Sequence, residues 1–267
     1  MAMTALSLGL TTSCGTKSDD SGGAGVDSAI EMDTVILSEL ADEDTLTQAN
    51  IPFVAEKMEE KKGQNVLEVQ FPTQGNMELL QSVRQWLNEE LGGTYKGDLA
   101  DGKSFFRHYA LQLGHDPDLN ECGGYTKDDF EVEYQNDRVV TYEHSSYVNE
   151  GESHGESEER GVTFLQEDGS KFTRKCIKSY QGIHSLIVEG LKQYFKVKSD
   201  DQLLEHLSNV KSVADIQSPT IDPWITAQGV TFAYMPFEIA EGEKMPTFSI
   251  PVSKIQPYLT EEGKRFF

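Results

Sequence analysis

Asp129-Phe130-Glu131-Val132-Glu133-Tyr134-Gln135-Asn136-Asp137-Arg138-Val139-Val140-Thr141-Tyr142-Glu143-His144-Ser145-Ser146-Tyr147 holds two runs that alternate in polarity, Asp129 to Tyr134 and Arg138 to Tyr147. Alternation at period two sends successive side chains to opposite faces of a strand, and Gln135-Asn136-Asp137 is a hairpin-length joint. Toward the C-terminus, Val162 to Gln166 and Lys171 to Arg174 flank Glu167-Asp168-Gly169-Ser170, a second hairpin signal in which Gly169 can take positive φ. Ile183, Leu186, Ile187, Leu191 and Tyr194 then form an apolar stripe that predicts a helix over 181–195, and Ser199 caps a short helix over 200–207. Val230 to Met235 and Thr247 to Val252 return to strand. Toward the N-terminus, Asn65 to Phe71 alternates well and is expected to end at Pro72. Leu79, Val83, Trp86, Leu87 and Leu91 predict a helix over 76–91, and Phe106, Tyr109, Ala110 and Leu113 another over 103–113, closed by Gly114 and Pro117. Asp33 to Leu40 reads as a further strand. Strands and helices mixed in this order, with hairpins in the middle, predict an α+β fold: a mixed or antiparallel sheet packed by two to four helices, not a parallel βαβ array.

The chain has 267 residues with 23 Lys+Arg against 45 Asp+Glu, a formal charge of −22. A chain of this length can bury roughly 70–75% of its unfolded surface and needs no staple to fold. Its 37% hydrophobic content and mean hydropathy of −0.48 are too apolar for a disordered chain. No run approaches the ~18 apolar residues of a membrane-spanning helix. Strong acidity excludes a nucleic-acid binder, which needs basic surface to displace counterions. It favours a cationic partner, or plain solubility.

Residues 1–14 are apolar or small and uncharged, ending at Ser13-Cys14, and Gly15 to Gly25 is a Gly/Ser/Asp-rich tether. This order resembles a bacterial lipoprotein signal, which implies a lipid on Cys14 and a place in the cell envelope, anchored to the outer membrane and either periplasmic or surface-exposed. No Lys or Arg precedes Lys17, and Thr11 stands where such signals prefer leucine. The chain is accordingly divided into a signal and tether (1–30), an N-terminal α+β subdomain (31–120) and a C-terminal α+β domain (121–267). Cys122 and Cys176 can form one internal disulfide in an oxidising envelope; the alternative is two unpaired thiols.

Gly151-Glu152-Ser153-His154-Gly155 satisfies the Gly-x-Ser-x-Gly pattern of serine hydrolases. Only Glu156 to Arg160 separate it from the next predicted strand, which leaves no room for the supporting helix, and the glutamates around it would oppose an oxyanion. Glu152, His154 and Glu156 could face one side of a strand as metal ligands, but a solvated acidic loop explains them equally well. Asp116-x-Asp118-x-Asn120 opens like a calcium loop and fails at Glu121 and Lys127. No catalytic residue, metal or cofactor is expected. Trp224, Phe232, Tyr234, Phe237 and Tyr258 could stack on sugars, although at strand spacing such residues are more often core.

Three segments resemble the RsiV C-terminal-domain family, a bacterial envelope domain of unknown function found in a lysozyme-sensing anti-sigma factor. They are Tyr147-Val148-Asn149-Glu150-Gly151-Glu152-Ser153-His154-Gly155, the hairpin Phe164 to Phe172, and Gln228-Gly229-Val230-Thr231-Phe232-Ala233-Tyr234-Met235-Pro236-Phe237-Glu238-Ile239-Ala240. The resemblance spans about residues 125–260 and puts Ser153 where the family carries alanine. It implies a binding protein, not an enzyme, with Glu150, Glu152, His154, Glu156, Phe237 and Glu238 as contact residues. The implied partner is a basic protein such as lysozyme, or a cell-wall glycan, with no nucleic acid and no membrane contact beyond the lipid. The competing readings are a cell-wall or carbohydrate hydrolase and a structural surface lipoprotein.

Overall fold

Gly63, at φ 65°, and Gln64 turn β1 (Val54–Lys62) back onto β2 (Asn65–Gln74) as an antiparallel pair. The computed structural model describes residues 51–116, 119, 121–151, 155–242 and 245–267. Cys14, the tether and the strand expected at Asp33 to Leu40 lie outside the described residues, as do Asp118, Asn120, Glu152, Ser153 and His154.

From β2 the chain crosses over through α1 (Met77–Glu90) and α2 (Gly102–Ala110) before β3 (Tyr125–Gln135) lies parallel to β2. A parallel pair needs a long connection of this kind. Asn76 and Asp101 cap the two helices by accepting the backbone N–H of Glu78 and Ser104. β3, β4 (Val139–Asn149) and β5 (Glu156–Leu165) follow as an antiparallel meander, giving one five-stranded sheet in the order β1-β2-β3-β4-β5. Leu67, Val69, Phe71, Phe130, Tyr142 and Phe164 point from one face into a core with Leu79, Val83, Trp86 and Phe105 of the helices. Strand pairing therefore runs across the division expected between residues 120 and 121.

A second core sits against one end of the other face. The long helix α3 (Tyr180–Phe195) and the antiparallel sheet β6 (Trp224–Thr226), β7 (Gly229–Ala233), β8 (Thr247–Ile250) bury Ile183, Ile187, Leu191, Phe232, Phe248 and Ile250 between them. The pleat divides neighbours between the cores: Val140 and Phe164 enter the first, Val139 and Leu165 the second. The seam is polar and satisfied. Thr141 Oγ1 donates to the Ile225 carbonyl at 2.7 Å, Thr163 Oγ1 accepts the Ile225 N–H at 2.7 Å, and the two hydroxyls lie 2.8 Å apart.

The α+β expectation holds, as do both predicted N-terminal helices, the β3–β4 hairpin and α3. Several details differ, among them β5, which begins at Glu156 and so takes in the segment expected to separate it from the Gly151 to Gly155 motif, and α2, which ends at Ala110. β2 continues through Pro72, which is tolerated because β3 pairs only with Val66 to Val69 and leaves that side of β2 open. The hairpin turn after β5 forms with Gly169 at φ 69°, but its second arm shrinks to one bridge between Phe164 and Lys171 before the chain dives to bury Phe172. The short helix capped by Ser199, α4 (Asp200–Leu204), ends three residues early. Cys122 and Cys176 are both free, exposed and buried respectively. Cys122 precedes the start of β3, whereas Cys176 follows the far end of β5, so roughly 25 Å of strand separates them. A disulfide needs Cα atoms within about 7 Å.

Candidate functional site

The face of the five-stranded sheet opposite α1 and α2 collects the acidic side chains. Register places Glu59, Glu68, Asp129 and Ser145 in one row across four strands, and Glu131 directly opposite Glu143. Glu159 pairs with Ser145, and Glu143 pairs with Gly161. A bulge between Val132 and Tyr134 leaves Glu133 unpaired beside them. Three lysines share the face. Lys57 forms an ion pair with Glu68, Lys61 another with Glu59, and the Lys127 ammonium lies 5.4 and 5.9 Å from the ring centres of Tyr125 and Tyr147. These cations are engaged, and the excess charge is negative.

One end of this face is closed by the second core and the other is open. Trp224 of β6 is fully buried, its ring flat against Gly161, where any side chain would collide with the indole at about 2.3 Å. Gly161 is what admits the tryptophan. The open end is a groove of about 570 Å³ lined by Glu68, Asp129, Ser145, Tyr147 and Glu159, with Met245 on its wall.

Crowding shifts the carboxyls. Burial, reinforced by Glu159, Glu133 and Glu131, pushes the Glu143 carboxyl up to about 8. Partial burial also raises Glu133, against the pull of the Trp224 indole, and burial together with Glu68 raises Asp129. Among the described residues, no group of three or more His, Cys, Asp or Glu is arranged to hold a metal ion.

The helix-covered face carries a different titratable centre. His144 is buried, stacked 4.0 Å from Phe130, with Nε2 at 3.3 Å from Asp128 Oδ1 and Nδ1 at 3.6 Å from Glu90 Oε2. Arg160 also reaches Glu90, at 3.2 Å. Burial alone would lower the imidazole, but the hydrogen bond to Asp128 and the nearby Glu90 carboxylate outweigh it and raise it above its ordinary value. Its stabilisation is therefore complete below about pH 6.5, the value of a free histidine, and is lost as pH rises through the higher folded value. Chemical denaturation across pH 5–9 should show the wild type losing stability relative to His144→Gln over that rise. Parallel curves would remove His144 from the account.

The contact residues expected from sequence are scattered around this site. Glu150 and Glu156 are exposed at the outer ends of β4 and β5, and Glu156 faces away from the acidic row. Phe237 is 67% exposed and holds φ 62°, an unusual backbone for an aromatic residue. Glu238 is committed to its own loop, accepting the N–H of Thr220 and of Met235 at 2.8 Å each. Trp224, Phe232 and Tyr234 are core. The sequence reading missed Glu68, Asp129, Glu131, Glu133, Glu143 and Glu159 as a group, although Asp129-Phe130-Glu131-Val132-Glu133 already shows one polar face.

No protein-family model matches the chain, and no curated protein matches it. The architecture is nevertheless that of a known class of bacterial domain. A crystal structure of a member of the DUF3298 family from Bacteroides fragilis superposes with a TM-score of 0.54 at 13% identity, over 81% of this chain and 95% of that one. A DUF3298 family protein from Pseudomonas aeruginosa gives 0.51 at 16% identity, over 80% and 95%. Likeness at this identity establishes the shared fold, that of domains of unknown function.

Proposed function

We propose that this protein is an envelope-anchored lipoprotein without catalytic activity that binds a cationic protein, such as a lysozyme, through the open acidic face of its five-stranded sheet. The carrying observation is two adjoining rows across neighbouring strands, Glu68, Asp129 and Glu159 in one and Glu131 opposite Glu143 in the next, with the lysines of that face already engaged. Like charges set side by side in this way destabilise the fold, and an opposite surface relieves them. The resemblance to a lysozyme-sensing domain supports the same partner class, and Cys14 is the anchoring residue. Among the described residues no helix is long and apolar enough to cross a membrane.

Isothermal titration against lysozyme tests the reading. Binding is expected at low ionic strength and should weaken steeply as salt shortens the range of the surface charges. No heat at low salt would remove the partner; binding indifferent to salt would remove the acidic face as its cause.

A further inference from the structure

The closed end of the acidic face is more crowded than the groove. Glu131 of β3 stands directly opposite Glu143 of β4, Glu133 bulges beside them, and Glu159 of β5 lies diagonally across. The charged groups facing Glu143 are thus Glu131 and Glu133 from β3 and Glu159 from β5. From its own strand comes the Ser145 hydroxyl, which donates to Glu143 Oε1 at 3.4 Å. From β6, the buried Trp224 ring lies over Gly161, the residue paired with Glu143, and keeps water from that side.

Four carboxylates in one patch, one of them walled by an indole, repel more strongly than solvent can screen. We infer that Glu131, Glu133, Glu143 and Glu159 hold one proton in common at neutral pH, centred on Glu143, so that the charge of the acidic face is itself set by pH. This regulation of the face rests on the function proposed above for its biological meaning, although the proton does not depend on it. A cationic partner docked there favours the fully ionised cluster. Its affinity should rise as pH climbs through neutrality, by about fivefold for the one charge gained, and binding near neutral pH should release a proton.

Carbon-13 carboxyl NMR on the full chain, glutamate-labelled and without partner, reads the proton directly. One glutamate signal is expected to titrate above pH 7, far from the ordinary glutamate range near 4.3. Glu143→Gln should remove that signal, while Glu131→Gln should move its midpoint down by relieving repulsion. Every glutamate titrating below pH 6 would overturn the inference, as would a high-pH signal that survives Glu143→Gln. Calorimetry with lysozyme in two buffers of different ionisation enthalpy then separates the two claims. Failure to bind counts against the proposed partner alone, and binding without proton release counts against the linkage.

Discussion

Neutralising the open face by Glu68→Gln, Asp129→Asn, Glu131→Gln and Glu159→Gln together is expected to weaken lysozyme binding about a hundredfold at low salt. Each exposed charge contributes only a fraction of a kcal/mol, but four on adjacent strands act on one partner surface and their sum reaches two decades of affinity. Most of the loss should appear in the association rate, because complementary potential steers encounter more than it holds the complex. The gap between variant and wild type should close as salt is added. Stability should not fall with the four substitutions. The remaining Glu133 and Glu143 lose neighbours that repel them, and the Lys57 ion pair given up with Glu68 sits at an exposed edge. Unchanged affinity in a folded variant would place the binding surface elsewhere.

Trp224→Ala is expected to cost about 3–5 kcal/mol in chemical denaturation, the range for deleting a fully buried large aromatic. Trp224 has no solvent exposure, and its ring fills the space Gly161 leaves on the five-stranded sheet. The following residue, Ile225, is tied to Thr141 and Thr163 through its backbone. Removing the indole therefore opens a cavity at the seam between two cores and loosens the wall that β6 sets beside the glutamate cluster. Solvent reaching Glu143 from that side would also bring its carboxyl back toward the ordinary range. A loss below about 1 kcal/mol would mean that the second core is held on the sheet by something other than this contact.

Much of the architecture was legible because periodicity carries it. The alternation of Asp129 to Tyr147 yields a hairpin whichever side is buried, and the apolar stripes of α1 and α3 need only a nearby sheet. β1 was not legible. Val54-Ala55-Glu56-Lys57-Met58-Glu59-Glu60-Lys61-Lys62 has almost no apolar alternation, because an edge strand is protected by charge and is ordered by its pairing with β2. The parallel β2–β3 pairing was hidden for another reason: it depends on a crossover of some fifty residues that local pattern cannot close. The acidic site stayed hidden likewise. Acidity along the chain peaks at Glu150 to Glu159, whereas the face is assembled from residues spread over four strands, Glu68 on β2, Asp129, Glu131 and Glu133 on β3, Glu143 on β4 and Glu159 on β5. Glu68 and Glu143 become neighbours of Asp129 and Glu131 only through register. Trp224 could be read as core from its spacing, but nothing local announces that Gly161 is its seat.

The most direct test of the central claim is to locate the contact. Carboxyl NMR of the glutamate- and aspartate-labelled chain with unlabelled lysozyme should show shifts concentrated at Glu68, Asp129, Glu131, Glu143 and Glu159, fading together as salt is added. Shifts gathered instead on the helix-covered side, at Asp128 and Glu90, or no shifts at all at low salt, would contradict it.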